Sequence, residues 1–339
     1  MATIKEVAER AGVSPATVSR ALTGSSAVGA EYRDRVVRAA EDLGYRPNRL
    51  ASNLRRRQTQ TIGVVVSDIE NPHYTQMVRV VQDAAERRDL RVLLCNTDEL
   101  ATKQRSYLEV LAAERVGGVI LVPSDPEGAE IDELLGMGIP VVAFDRVVAN
   151  PLADAVIADN IEGTRLATEH LLRAGHRQIG FIGGLAGIQT GAERLAGYEA
   201  AMRAQGLEPR SSEGDFRITQ AMDAADELLD SEKGITGLVV ANNLMAIGAL
   251  RALRARGVRV PGDVALVSID DPFWAELVEP PLTTLAQPVH RMAESAANLL
   301  FERMAGTRTI ARCIVFGFEL RVRQSCGVAA LARPGRAGP

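Results

Sequence analysis

Two groups of residues in this 339-residue sequence have the types and spacing to do chemistry. The first is Thr17, Ser19 and Arg20, with small Ala16. A helical period gathers them on one side while Val18, Ala21 and Leu22 face the other way. Hydroxyl and guanidinium groups on one face suit phosphates and base edges. The second group follows apolar runs. Residues 68–74, including His73 and Tyr74, follow the run 62–66, and Asp145-Arg146 follows 141–144. Asn242-Asn243 follows 238–240, and Asp270-Asp271 follows Ile269. Arg194 opens the helix expected after Gly183-Gly184. Carboxylates accept from hydroxyl groups, and arginine and asparagine supply forked donors. Tyr74, Phe216 and Trp274 offer ring faces. The set suits a sugar or another small polyhydroxylated metabolite.

The first group sits in a small helical head. Ser14 is a natural N-cap, and Pro15 fits the first helical position, where no intrahelical N–H is lost. A preceding helix over residues 4–10 presents Ile4, Val7 and Ala8, and Ala11-Gly12-Val13 forms the turn. That pattern reads as helix-turn-helix, although geometry alone fits any αα-hairpin equally. A third helix is expected over 31–43, with Val36, Val37, Ala40 and Leu43 as its core stripe and Glu31–Arg35 as an i,i+4 pair. Gly44 and Pro47 stop it. Residues 48–57 follow: Asn48 can cap a helix on which Leu50 and Leu54 share a face. Ten residues make a marginal helix in water, and Arg55, Arg56 and Arg57 repel one another. This stretch is expected to be loosely ordered alone and helical when phosphates neutralise it.

The second group is carried by alternating strands and helices. Strands are expected at 62–66, 92–94, 119–122, 141–144, 179–182, 238–240, 264–269 and 313–320. Helices are expected at 77–88, 104–114, 163–174, 194–205, 245–256 and 289–304. Apolar runs separated by helices imply parallel sheets covered on both faces, here in two lobes. Ligands of such sheets bind beyond the C-terminal ends of the strands. The same residues also fit plainer roles: Asp270-Asp271 before Pro272 a turn, Asn242-Asn243 a helix cap, Asp145 a surface pair with Arg146.

Metal and dinucleotide chemistry find little support. His170 and His176 have no third ligand at metal spacing. The glycines of 180–187 miss the G-x-G-x-x-G spacing. Cys95, Cys313 and Cys326 are odd in number and far apart, as free thiols of a reducing cytoplasm would be. No apolar run is long enough to span a membrane, and the polar first helix argues against an export signal. Residues 1–60 hold 11 Lys and Arg against 6 Asp and Glu, while the whole chain carries −4. A basic head on an acidic body suggests that the head meets a polyanion.

The sequence resembles the lactose/galactose repressor (LacI–GalR) family. The matching residues are Thr3-Ile4-Lys5-Glu6-Val7-Ala8, Ala11-Gly12-Val13-Ser14, Thr17-Val18-Ser19-Arg20-Ala21-Leu22 and Leu43-Gly44-Tyr45-Arg46-Pro47-Asn48, then Ala51, Leu54 and Arg55. The likeness extends to about residue 327. It implies an α/β chain with an all-α helix-turn-helix head over 1–46, a hinge helix over 47–60 and a periplasmic-binding-protein-like core over 61–327. The first lobe would span 61–160 plus 291–319 and the second 161–290 plus 320–327, linked by three crossovers; residues 328–339 form a disordered tail.

The resemblance also assigns roles. Arg20 reads a base edge, and Ala16 offers apolar contact, while Pro15 and Ala16 occupy positions that vary with the operator. Thr3, Ser14, Thr17, Ser19 and Asn48 position the head on phosphates, and Ala51 and Arg55 are further DNA-binding residues. Leu54 is the wedge at the central base step, or else it packs on the neighbouring domain. His73, Tyr74, Asp145, Arg194, Phe216, Asn242, Asp270 and Trp274 face the effector. Asn243 stands where the family usually has Asp. The implied function is a cytoplasmic homodimeric regulator, usually a repressor, acting on pseudo-palindromic double-stranded DNA under a sugar-like effector. It implies no cofactor, no membrane and no enzymatic activity. A transport solute-binding protein and a sugar-metabolising enzyme are the alternatives; the first calls for an export signal, the second for a phosphate loop, metal set or activated nucleophile.

Overall fold

The computed structural model describes residues 2–22, 28–45, 60–231 and 234–327. The chain divides into two compact units, residues 1–59 and 60–339. The described part of the first unit holds helices α1 (Ile4–Ala11), α2 (Pro15–Leu22) and α3 (Ala30–Asp42). Val7, Ala8, Ala11, Val18, Ala21, Val28, Val36, Ala39 and Ala40 close its core. Two expectations for α3 need correction. Ala39 is buried where Val37 was placed, and Val37 is 37% exposed, because 3.6-residue spacing from Val36 returns at 39 and 40. Arg35 does not turn to Glu31; its Nη2 donates to the Ala11 carbonyl at 2.5 Å, and its guanidinium lies over the Tyr32 ring. The carbonyls ending α1 lack helical partners, so a guanidinium there satisfies one.

The second unit is α/β, with two six-stranded sheets. In chain order its elements are β1 (Thr61–Val66), α4 (Pro72–Glu86), β2 (Arg91–Asn96), α5 (Ala101–Ala113), β3 (Val119–Leu121), α6 (Ala129–Gly136), β4 (Val141–Phe144) and β5 (Asp154–Ala158). Then come α7 (Asn160–Arg173), β6 (Ile179–Gly183), α8 (Gln189–Ala204), β7 (Arg210–Glu213), α9 (Ile218–Leu229), β8 (Gly237–Val240), α10 (Asn243–Ala255), β9 (Ala265–Ile269) and β10 (Thr283–Ala286). A 3₁₀ turn, Phe273–Glu276, precedes β10. The chain closes with α11 (Val289–Met304), β11 (Cys313–Phe316) and β12 (Glu319–Arg321).

The first sheet runs β11-β5-β4-β3-β1-β2 and is wholly parallel. The second runs β12-β10-β9-β8-β6-β7 and is parallel except for β12, antiparallel to β10. Alternation along β1 shows how both faces are covered. Ile62, Val64 and Val66 pack with Met77 and Val81 of α4 and Met292 and Leu300 of α11. Val65 packs with Leu108 and Leu111 of α5 and Ile131 of α6 on the other face.

The chain passes between the sheets three times, at 159, at 287–288 and at 317–318. The last passage corrects the single strand expected over 313–320. Cys313–Phe316 joins the first sheet and Glu319–Arg321 the second, with Gly317-Phe318 between them. Phe318 fills the space beside Gly163, where a Cβ would lie 2.5 Å from its ring. β5, α6, β7, α9 and β10 were not expected. β7 reads Arg-Ser-Ser-Glu, a polar edge strand without an apolar run.

Several helices start earlier than expected, and two of those shifts matter for the site. α4 begins at Pro72, not Met77: Asn71 Oδ1 caps it by accepting from His73 N at 2.9 Å, and Pro72 takes the first position. α8 begins at Gln189, which places Arg194 in its second turn instead of at its start.

Candidate functional site

The exposed side of α2 is the first candidate surface. Gly12, at φ 64, turns the chain out of α1 in the left-handed region that glycine tolerates. Ser14 Oγ accepts from Thr17 N at 3.1 Å and shares a hydrogen bond with Thr17 Oγ1 at 2.9 Å, so both residues shape the start of α2. Thr3 caps α1: Glu6 N donates to Thr3 Oγ1 at 3.4 Å and Thr3 N donates to Glu6 Oε2 at 2.7 Å. Pro15, Ala16 and Arg20 are exposed on α2, and Thr17 and Ser19 are half-buried. Asn48, Ala51, Leu54 and Arg55 lie outside the described residues, as do 328–339.

Between the two lobes of the second unit lies a polar cavity. It is lined by Asp68, Asn71, His73, Tyr74, Glu99, Asp145 and Arg146 from the first lobe. Thr190, Arg194, Phe216, Arg217, Asn242 and Asp270 line it from the second, with Gln287 from a crossover. Asp145 and Asp270 hold equivalent places, each the first residue after a strand. Both are left-handed, at φ 68 and 69. For a residue with a Cβ that conformation costs on the order of 1 kcal/mol or more and recurs at functional sites.

His73 stands between these carboxylates. Its Nε2 is 4.0 Å from Asp145 Oδ1 and its Nδ1 is 3.7 Å from Asp270 Oδ1. Tyr74 donates to Asp145 Oδ2 at 2.9 Å. Burial, and then Asp145, push the Tyr74 hydroxyl well above its ordinary pKa, so it remains a donor. Gln287 Nε2 donates to Asp270 Oδ1 at 2.8 Å, and Asn243 Nδ2 to Asp270 Oδ2 at 3.0 Å. Arg194 gives Nε to Asn160 Oδ1 and Nη1 to the Ala241 carbonyl, both at 2.8 Å. Asn242 caps α10 by accepting from Met245 N at 2.7 Å, and it also lines the cavity, so cap and site coincide.

Asp145 is not a surface partner of Arg146. Both are buried, and the Arg146 fork goes to Glu99 at 2.7 and 2.6 Å. Asp145 Oδ1, both His73 nitrogens, Arg146 Nε, Asn243 Oδ1 and Gln287 Oε1 are buried without a hydrogen-bond partner in the protein. Buried polar atoms are normally satisfied, so this cluster calls for an outside partner.

The lobes are tied to each other around the cavity by hydrogen bonds. Asn243 Nδ2 donates to Asn71 Oδ1 at 2.8 Å, Arg217 Nη1 to Asp68 Oδ2 at 3.3 Å, and Val147 N to Gln189 Oε1 at 2.9 Å. Burial raises the Asp68 carboxyl above its usual pKa despite the Glu70 amide and Arg217.

Of the expected effector residues, His73, Tyr74, Asp145, Arg194, Phe216, Asn242 and Asp270 come together. Trp274 does not: it lies in the 3₁₀ turn, half-buried against the second lobe's core, and does not line the cavity. Asp68 and Asn71 fall in the 68–74 stretch singled out from the sequence, whereas Glu99, Thr190, Arg217 and Gln287 were missed. The rule about strand ends, applied to β2, leads to Glu99. No such signal pointed to Gln287, because β10 itself was not anticipated. Among the described residues no cluster of His, Cys, Asp and Glu could hold a metal ion, and no helix is long and apolar enough to cross a membrane. Cys95, Cys313 and Cys326 are free thiols.

Both units of the chain have relatives among known proteins. Residues 3–48 match the model of bacterial regulatory proteins of the lacI family, and residues 168–326 match a periplasmic binding protein-like domain. The HTH-type transcriptional repressor PurR of Photobacterium profundum is 32% identical over 329 residues, covering 96% of this chain and 98% of that protein. A solved complex of the transcriptional regulator CelR with cellobiose is 36% identical and covers 96% of this chain and all of that one, with a TM-score of 0.72. The Lac repressor dimer bound to operator and the anti-inducer ONPF is 28% identical, covers 96% and 99%, and has a TM-score of 0.83. With its helix-turn-helix unit and its two-lobed core, this chain belongs to the lacI family of bacterial regulatory proteins.

Proposed function

We propose that this chain is a homodimeric repressor whose grip on a pseudo-palindromic operator is set by a small sugar-like effector held between its two lobes. The observation that carries this reading is the buried, unpartnered group around His73, Asp145 and Asp270 in a protein that also bears a helix-turn-helix. Side chains of both lobes converge on one space, so a ligand there binds one arrangement of the lobes better than another. Differential affinity of that kind shifts the balance between arrangements, and linkage makes its effect on DNA reciprocal.

In this proposal residues 1–46 are the DNA-binding head, 47–60 the hinge, 61–327 the effector and dimer core, and 328–339 a tail. The core lobes are 61–160 with 291–319, and 161–290 with 320–327. Arg20 reads a base edge. Thr3, Ser14, Pro15, Ala16, Thr17 and Ser19 frame it on the DNA. Asn48, Ala51, Leu54 and Arg55 supply the hinge contacts, with Leu54 as the wedge. The effector takes its contacts from His73, Tyr74, Asp145, Arg194, Phe216, Asn242 and Asp270. Paired heads require symmetric half-sites. Exposed Leu93 and Leu94 on edge strand β2, with Val110 on α5, support a partner surface on the first lobe. The protein works in the cytoplasm, where its DNA is.

The test has two steps. Selection from random duplexes yields an inverted-repeat operator. Saturating the cleft with a ligand found by melting-temperature screening then changes operator affinity about 5- to 150-fold. Failure to retain any duplex at low ionic strength contradicts the proposal, and so does an operator affinity that ignores a bound ligand.

A further inference from the structure

The cavity contains three arginines, and each is already engaged within the protein. Both terminal nitrogens of Arg146 go to Glu99, at 2.7 and 2.6 Å, and one of them also to the Pro123 carbonyl at 3.0 Å. Arg217 goes to Asp68. Arg194 uses Nε and Nη1 on Asn160 and Ala241. Four carboxylates, Asp68, Glu99, Asp145 and Asp270, line the same space. Among the lining residues, the atoms left without partners mix donors and acceptors: Arg146 Nε and the His73 ring beside Asp145 Oδ1 and Gln287 Oε1. A phosphate or carboxylate only accepts hydrogen bonds and would leave those two oxygens unsatisfied. A hydroxyl both donates and accepts, so a ring bearing several hydroxyls answers both kinds.

We propose that the cleft takes an uncharged, polyhydroxylated monosaccharide, and that Glu99 is the residue that turns anionic sugars away. This rests on the reading of the cleft as an effector site. Glu99 is held in place for that role. It follows Asp98, both in the left-handed region at φ 61 and 52. Asn96 donates to Asp98 at 2.6 Å and Lys103 also pairs with it, which fixes the loop. From there the Glu99 carboxylate occupies the arginine fork that would otherwise recognise an anion. The ties Asn243–Asn71, Arg217–Asp68 and Val147–Gln189 draw the lobes together around the space, which favours a compact ligand over an extended one.

The experiment uses the full chain, titrated calorimetrically with aldopentoses and aldohexoses, ribose 5-phosphate, glucose 6-phosphate, glucuronate, cellobiose and hypoxanthine. The expected result is a neutral monosaccharide binding at least tenfold more tightly than its charged derivative. In Glu99→Gln that ratio falls at least tenfold, because one Arg146 nitrogen loses its acceptor. A charged sugar, the disaccharide or the purine binding best to the unmodified protein overturns the ligand class and leaves the effector reading standing. An unchanged ratio in folded Glu99→Gln overturns the role of Glu99; should that variant not fold, the ratio in the unmodified chain still decides the ligand class. Silence toward every compound at millimolar concentration overturns both the ligand class and the effector reading.

Discussion

Asn243 of the second lobe and Asn71 of the first are joined at 2.8 Å, amide nitrogen to amide oxygen, and the same Asn243 nitrogen reaches Asp270 at 3.0 Å. Asn71 and Asn242 cap the two helices that face each other here, α4 and α10. An amide can serve both acceptors at once; the carboxylate that the family usually carries at 243 can serve neither.

Asn243→Asp is therefore expected to loosen the lobes at pH 7.5, by about 1–3 kcal/mol, the cost of leaving buried polar groups unsatisfied. The introduced carboxyl, buried beside Asp270, has its folded pKa raised. Its penalty is therefore small below the ordinary carboxylate pKa and grows as pH rises through the raised value. Scattering radius and melting temperature, measured from pH 5 to 8 without ligand, check this. Curves parallel to those of the parent protein contradict it.

Asp154, the first residue of β5, is fully buried and holds the C-terminal return to the first lobe. It accepts from Arg308 at 2.7 and 2.8 Å, Arg303 Nε at 2.9 Å and Arg312 N at 2.7 Å. Burial alone raises a carboxyl's pKa, but these donors outweigh it and hold Asp154 below its usual 3.8. A depressed folded pKa adds stability above pH 3.8 that is lost as pH falls through the lower value. Asp154→Asn should cost roughly 3–5 kcal/mol at pH 7, as breaking a buried ion pair does. Urea unfolding should show that gap narrowing in strong acid.

Gly197 lets α7 and α8 touch. A Cβ there would lie 2.2 Å from the Ile161 carbonyl oxygen. Arg194, on the same helix, depends on that approach to reach Asn160. Gly197→Ala is expected to destabilise the core by about 1–3 kcal/mol and to weaken effector binding together. Gly136→Ala, whose Cβ meets nothing within 4 Å, is the control that leaves effector binding unchanged and does not destabilise the core. Calorimetric binding with unchanged affinity in Gly197→Ala would contradict the link to Arg194.

Arg20→Ala tests the head. A bidentate contact to a base discriminates by about 1–3 kcal/mol, so the variant should lose roughly 5- to 150-fold on the selected operator. It should also relax its preference at one base pair per half-site. Gel-shift titration on single-base variants reads both, and uniform weakening across all sequences would mark a phosphate contact instead.

Local chemistry alone was enough for much of this protein. Ser14 before Pro15 announces α2, and Gly12 announces the turn before it. Unbroken apolar runs such as 62–66 announce buried parallel strands, and polar residues just beyond them mark the cleft wall. Burial periodicity encodes which side of an element is covered but never by what. The pairings therefore had to wait for the fold. Arg146 meets Glu99 from 47 positions away, Asn243 meets Asn71 from 172, and Trp274 turns onto the second lobe's core instead of the cavity. Phe316 and Glu319, three residues apart, end in different sheets. Such contacts depend on how the sheets are wound and how the two lobes meet, and no local pattern of residue types records either.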